Sequence, residues 1–345
     1  MRSYVVYADQ TCKIVDDMPM PKYGEYDALV KIESCGVCAG TDTKIIHGKF
    51  KGVDNYPVVL GHEGVGRVVE KGAKVTNFEI GDLVLMPYWS DVPEGYYSGW
   101  GTYSEYNIVT DAKAMADDGL TPDAFAWGQC KLPADFDPVS SAMIITFREV
   151  LSTMKRFGFE SGKSLAVLGL GPVGLSFVKF AKLMGMSPII AMDIQDEKLE
   201  RAKACGADYV INTKNESMVD GIKAICPEGL DFALDAVGYN PFINQALEVI
   251  KSDAKVCVYG ISENMSTEVD WSKCPYNWTL HFHQFPLKEA EAGAHDQIVQ
   301  WIKDGVLDPN DYISPVFDFD DIDKAFDIIA RREPAMKMVI RFYRR

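Results

Sequence analysis

Long hydrophobic runs are missing from this chain. The longest largely apolar stretch, Leu165 to Val178, covers 14 residues and is broken by Gly169, Gly171, Pro172 and Gly174. That is too short and too interrupted to cross a bilayer. Positive charge is scarce as well: 35 Lys and Arg stand against 50 Asp and Glu, a formal net charge of −15. The deficit argues against partners that select a basic face, whether a nucleic-acid backbone or an anionic lipid surface. Close-set cysteines are few. Of eight, only Cys35 and Cys38 are neighbours, so no disulfide framework is expected, and a metal or plain burial is the reading left. Repeats and low-complexity tracts are absent. The opening residues, MRSYVVYADQTCK, reach Asp9 after one short apolar run, which is not a secretory signal pattern. A soluble, cytoplasmic protein is the expectation.

What is present is an ordinary globular composition, 47% hydrophobic and 25% charged over 345 residues, enough for two domains with real cores. The two parts differ in texture. Up to about Val109, short strand-like runs (Tyr4–Tyr7, Ala28–Glu33, Gly64–Glu70, Leu83–Met86, Tyr103–Val109) are punctuated by glycines, predicting a compact β-barrel-like domain. After about Thr146, strands alternate with helices. Leu165–Leu168, Ile189–Asp193, Tyr209–Ile211 and Phe232–Asp235 each lead into a helix, ending near Met184, Cys205, Ile225 and Ile250. Val256–Tyr259 closes the series. These strands are nearly continuous apolar runs, the signature of a parallel sheet covered on both faces. Two further helices, Leu287–Lys303 and Asp320–Arg331, and a strand, Lys337–Phe342, are predicted at the end.

The run Leu165-Ala-Val-Leu-Gly169-Leu-Gly171-Pro172-Val173-Gly174 reads as strand, tight turn and helix carrying G-x-G-x-x-G. The glycines permit the turn and the approach of a pyrophosphate, which the helix N-terminus attracts. Methyltransferases and flavin proteins carry this pattern too. Here Asp193 ends the next strand 19 residues after Gly174, where a carboxylate binds adenosine ribose hydroxyls and repels a 2′-phosphate. NAD is therefore favoured over NADP, the alternative being that Asp193 merely caps a helix.

A second constellation is Gly36-Val-Cys38-Ala-Gly-Thr41-Asp42 followed by Gly61-His62-Glu63-Gly64-Val65-Gly66. Thiolate plus neutral imidazole is a zinc-type ligand pair. A lone Cys or His would more simply be a packed residue. The pattern Gly61-His62-Glu63-x2-Gly66-x5-Gly72-x2-Val75, with Phe78, Gly81, Asp82 and Val84 beyond it, resembles the zinc signature of the medium-chain dehydrogenase/reductase family, in particular its alcohol and sorbitol-like polyol dehydrogenases. The likeness extends over essentially the whole chain. It implies a GroES-like β-barrel catalytic domain (residues 1–145 and 285–345) with an inserted Rossmann doubly wound domain (residues 146–284), and an active site in the cleft between them.

By the same resemblance, Cys38 and His62 are catalytic zinc ligands, Glu63 is a carboxylate able to approach the metal, and Asp42 orients the ligand imidazole. Thr41 is the nearest hydroxyl to the family's proton relay, with His47 either continuing it or lying on a surface loop. The family's third ligand position falls on Ile145. Glu149, one helical turn on, reaches the metal if the helix shifts and is otherwise an exposed carboxylate beside Arg148. Relatives with a structural zinc carry four close cysteines, and Met86 to Tyr106 has none. One catalytic zinc and no structural zinc are expected. That segment holds Tyr88, Trp89, Tyr96, Tyr97, Trp100, Tyr103 and Tyr106 instead, which pack a rebuilt loop or line the substrate pocket. Lys337 lies near the cofactor or on the surface. His281 and His283 alternate along a possible strand and suit packing or a subunit contact better than a metal, and the Rossmann edge strand expected near Asn277–His283 is where subunits would pair.

The resulting expectation is a zinc- and NAD-dependent enzyme that oxidises a polyol or small secondary alcohol to its ketone, acting as a homodimer or homotetramer. A zinc-free quinone or enoyl reductase of the same fold, and a non-catalytic NAD-binding protein, are the alternatives.

Overall fold

The computed structural model describes every residue except 263, 265, 344 and 345. The chain divides into two compact units, Met1–Arg148 with Leu287–Arg345, and Glu149–Pro286. Among the described residues no helix is long and apolar enough to cross a membrane.

The second unit is a six-stranded parallel sheet in the order Tyr209–Asn212, Ile189–Asp193, Leu165–Leu168, Leu230–Asp235, Ile250–Val258, Trp278–Phe282. The helices Pro172–Leu183, Asp196–Cys205, Met218–Ile225 and Pro241–Leu247 connect its first five strands in sequence. Ile190, Met192, Ala233, Val256 and Phe242 are sealed in its core, which explains the unbroken apolar runs. The helix after Asp193 stops where expected, at Gly206 in the left-handed region (φ 111°). One expectation needs correction. The helix after Asp235 ends at Leu247 rather than Ile250, because Ile250 pairs with Leu230 and begins the next strand. Val256–Tyr259 ends the alternation of strands and helices but not the sheet. Trp278–Phe282 adds a sixth strand beside it, pairing Val256 with Leu280. It falls within the edge strand expected near Asn277–His283, and its side chains are largely exposed.

The first unit is built on a larger, mostly antiparallel sheet. Along it lie Ile313–Asp318, Lys337–Arg341, Asp27–Gly36, Glu63–Lys71, Leu83–Leu85 and Cys130–Lys131, with Tyr106–Thr110 also on Asp27–Gly36. A four-stranded sheet joins Cys12–Val15, Ser3–Val6, Val58–Val59 and Tyr97–Ser98. The strand expected from Tyr103 begins at Tyr106, because Tyr103 is fully buried and turned into the core with Tyr4, Val6 and Ile340. The helix expected from Asp320 begins at Ile322, after a 3-10 turn over Phe319–Asp321.

Register brings the functional segments together. Gly36 lies opposite Glu63 on one side and Val339 on the other, so three strands meet at one place. A larger residue at Gly36 would have to displace the Glu63 carboxylate, because a Cβ there would meet Glu63 Oε2.

The helix Lys288–Lys303 contributes a buried polar knot. Arg148, fully buried, donates to the Gly128 carbonyl at 2.7 Å and the Glu291 carbonyl at 3.1 Å. His295 Nε2 lies 2.9 Å from the Lys131 carbonyl, and its Nδ1 has no hydrogen-bond partner among the described residues. Burial, then the Arg148 charge, lowers the His295 pKa to about 4 from its ordinary 6.5. The folded state thus binds this proton more weakly than the unfolded chain. The neutral ring's stability is complete above about pH 6.5 and is lost as pH falls toward 4, a change of about 3 kcal/mol. Urea unfolding of His295→Gln at pH 7 and pH 4.5 should show a smaller loss on acidification than the parent protein. Equal losses would contradict this.

Candidate functional site

The loop leaving Asp27–Gly36 carries Cys38, and the short helix Thr41–Ile46 follows at once. Asp42, completely buried in that helix, accepts from the Cys38 N–H at 3.0 Å and from the Tyr103 hydroxyl at 2.7 Å through Oδ2. Its other oxygen, Oδ1, is 3.2 Å from His62 Nδ1, and neither of these two atoms has another partner among the described residues. The carboxylate therefore fixes the ring through Nδ1 and leaves Nε2 as the ligand atom. Burial acts against a charged imidazole here. The Asp42 carboxylate and Cys38 sulfur outweigh it, and the His62 pKa stands well above its ordinary value.

Cys38, His62 and Glu63 each offer a ligand atom, and these atoms all lie within 4.8 Å of one another. Sulfur, imidazole nitrogen and carboxylate oxygen in one place form the donor set of a zinc-type ion. The neighbouring Cys35 is different. It is fully buried, its sulfur 3.1 Å from Thr102 Oγ1, and burial pushes its thiol pKa far up, so it packs as a small apolar residue. All eight cysteines are free.

Glu63 has a second commitment. Both its oxygens accept from Lys337 Nζ at 2.7 Å, with both side chains buried. Lys337 is therefore not a surface lysine. The sequence reading also missed Tyr103 as a partner of Asp42, although it singled out the ring. Register against Gly36 is the signal for Lys337, while Tyr103 is set by backbone hydrogen bonds to Leu60 and Tyr4, and no local pattern encodes either.

The remaining sequence candidates fall as follows. Thr41 is buried, and its N–H donates to Cys38 Sγ at 3.5 Å. His47 is exposed at the end of its helix. The three-atom cluster is drawn from the first unit alone. Glu149 opens the second unit, partly buried, and accepts from the Tyr259 hydroxyl at 3.5 Å. His281 and His283 both pack against Phe157, with ring centroids 4.9 and 6.1 Å away. Of the aromatic segment, Trp89 and Tyr103 are core residues, while Trp100 lies 5.1 Å from the His62 ring.

In the second unit, the glycine turn has the shape its sequence requires. Gly169 has φ 91°, and a Cβ on Gly174 would lie 1.8 Å from the Gly169 carbonyl oxygen. Gly171 caps the helix and Pro172, without an N–H, begins it. The first-turn amides of Val173 and Gly174 have no partner within the helix and suit an anion. Asp193 Oδ2 accepts from the Leu170 N–H at 2.8 Å, and Oδ1 from Ile194 and Gln195 at 2.8 and 3.1 Å. Three amides occupy most of a carboxylate's acceptor capacity and leave room for about one further donor. Lys198 Nζ lies 3.7 Å from Oδ2.

Comparison with known proteins is consistent with this geometry. Residues 24–117 match the alcohol dehydrogenase GroES-like domain, and residues 172–285 the zinc-binding dehydrogenase domain. An alcohol dehydrogenase of Geobacillus stearothermophilus is 32% identical over 275 residues, covering 76% of this chain and 77% of that one. The chain belongs to the zinc-binding alcohol dehydrogenase family. A sorbitol dehydrogenase of Bombyx mori is 28% identical over 261 residues, covering 72% of this chain and 74% of that one. The solved structure of alcohol dehydrogenase TADH from Thermus sp. ATN1 superposes with a TM-score of 0.78 at 25% identity, covering 99% of both chains. This alcohol dehydrogenase family member is an oxidoreductase of the alcohol type, with a GroES-like domain and a Rossmann domain.

Proposed function

We propose that the protein transfers hydride between a small alcohol and NAD, with one zinc ion held by Cys38 and His62. The observation that carries this reading is the convergence of Cys38, His62 and Glu63 ligand atoms within 4.8 Å. When bound, the ion supplies Lewis-acid activation that lowers the pKa of an alcohol oxygen. Asp42 holds the His62 ring, and the Tyr103 hydroxyl and Cys38 N–H hold Asp42 in turn. The Thr41 hydroxyl, on the residue whose amide meets Cys38 Sγ, carries the substrate proton outward. Glu63 and Glu149 are the two carboxylates available for a third ligand. Glu63 stands beside the sulfur and the imidazole, and Lys337 offsets its charge until it is needed there.

The turn Gly169, Gly171, Pro172, Val173 and Gly174 receives the pyrophosphate, and Asp193 the adenosine ribose. Asp193→Ala should weaken NAD binding and narrow its advantage over NADP by about 10- to 100-fold, the worth of one charge-assisted hydrogen bond. The ratio of kcat/KM for the two cofactors measures this, and an unchanged ratio would refute the assignment.

Polyols and simple secondary alcohols both satisfy this chemistry. NAD reduction by a panel of alcohols, on protein of measured zinc content, tests it. Turnover without zinc would favour the zinc-free reductase, and NADH binding without any turnover the non-catalytic alternative. We also place a second copy of the chain along Trp278–Phe282, where Leu280 and Phe282 are exposed on a sheet edge. A solution mass equal to one chain would remove that proposal.

A further inference from the structure

Beside His62 the first unit carries a wall of aromatic rings that supplies none of the metal-ligand or cofactor-turn residues. Trp100 is tilted against the imidazole, 5.1 Å between ring centroids. Phe50 meets Trp100 edge-on at 6.1 Å, and Phe125 lies 6.0 Å from Trp100. Tyr88 lies 4.8 Å from Phe125. All four rings are partly exposed, whereas Trp89 and Tyr103 from the same segment are sealed in the core. Phe50 and Trp100 rest partly on the core that holds Tyr4, Cys35 and Tyr103, yet all four rings keep an exposed portion in a connected row next to one imidazole.

Trp100 is held there at a cost. Its φ is 67°, a region that a bulky side chain rarely enters. Its carbonyl accepts from the Trp89 N–H and from Asn107 Nδ2, each at 3.1 Å, which locks the backbone in that state. Strain retained beside a candidate site motivates a functional reading. The far end of the wall is closed by Lys288, whose ammonium lies 4.9 Å from the Phe125 centroid and is already paired with Glu291 at 2.6 Å.

We propose that this wall is the substrate side of the site and selects alcohols bearing an aromatic ring next to the carbinol carbon over open-chain polyols. The proposal rests on the alcohol-oxidation reading above. An aryl group gains ring-to-ring contact on several faces at once. A polyol would bring one hydroxyl per carbon against rings whose only polar groups are the Tyr88 hydroxyl and the Trp100 N–H, and each unpaired hydroxyl loses its water without replacement. The reaction is balanced in the usual way. The carbinol C–H bond breaks and its hydride reduces NAD to NADH. The hydroxyl proton leaves to solvent, and an aryl ketone or aldehyde remains.

The test compares 1-phenylethanol with sorbitol on the zinc-loaded protein. kcat/KM for 1-phenylethanol should exceed that for sorbitol by about 100-fold or more, the scale on which an apolar pocket discriminates. Trp100→Ala, and independently Phe125→Ala from a separate segment, should each reduce that ratio at least about tenfold. A ratio favouring sorbitol, or variants that lower both substrates equally, would overturn the proposal. Calorimetric binding of 1-phenylethanol separates it from the broader reading. Binding that depends on Trp100 without turnover supports the wall and defeats alcohol oxidation. Turnover of other alcohols without binding of 1-phenylethanol defeats the wall alone.

Discussion

Cys38→Ser is expected to lower alcohol oxidation at least about 10³-fold while leaving the dissociation constant for NADH within about threefold of the parent. The sulfur is one of three ligand atoms gathered within 4.8 Å, and a serine hydroxyl is a far weaker donor to a zinc-type ion. Losing the ion removes several kcal/mol of charge stabilisation from the transition state, which converts to that factor or more. The cofactor residues, from Gly169 to Asp193, belong to the other unit and share no hydrogen bond with Cys38 among those described. Steady-state NAD reduction and calorimetry of NADH binding on the same preparation measure the two effects. Parallel loss of both would mean that serine disturbs the fold rather than the metal, and the division of labour would be wrong.

Lys337→Met is expected to have the largest effect on stability. Its ammonium is the partner of both Glu63 oxygens at 2.7 Å, and the two side chains are 6% and 3% exposed. Removing one member of a buried pair strands the other charge at about 3–5 kcal/mol. For a unit of this size that lowers the melting temperature by about 6–20 °C. A second change, Glu63→Gln, should recover much of the loss, because no buried charge is then left over. Zinc should also recover more of it in Lys337→Met than in the double variant, since the ion then offsets the free carboxylate. Thermal unfolding of the four proteins with and without zinc gives the answer. A single variant no less stable than its parent would show that Glu63 finds another counter-charge.

Local pattern and long-range register divide what could be read in advance. The glycine turn at 169–174, the carboxylate at Asp193 and the signature around His62 are contiguous in sequence, and their spacing exposes their chemistry. The parallel sheet was legible from apolar runs because both of its faces are covered. The edge strand Trp278–Phe282 was legible only as a stretch near Asn277–His283, because its mostly exposed side chains carry no clear burial pattern. The ion pair of Glu63 with Lys337 joins residues 274 positions apart, and the Tyr103–Asp42 hydrogen bond joins residues 61 apart. The first depends on the register that sets Glu63 and the strand of Lys337 on either side of Gly36, and a shift of one would turn those side chains to the other face. The second depends on backbone hydrogen bonds that hold Tyr103 against Tyr4 and Leu60. Trp100 was visible as an aromatic residue, but its left-handed backbone is held by hydrogen bonds that its carbonyl accepts from Trp89 and Asn107, which no spacing pattern announces.

Cobalt substitution tests the metal assignment most directly. A cobalt ion bound by Cys38 and His62 should saturate at one per chain and show the intense thiolate-to-metal charge-transfer absorption of a sulfur-ligated site. That band should vanish in Cys38→Ser and persist in Cys35→Ser. Absence of the band in the parent protein, or its survival in Cys38→Ser, would show that the sulfur at position 38 does not hold the ion.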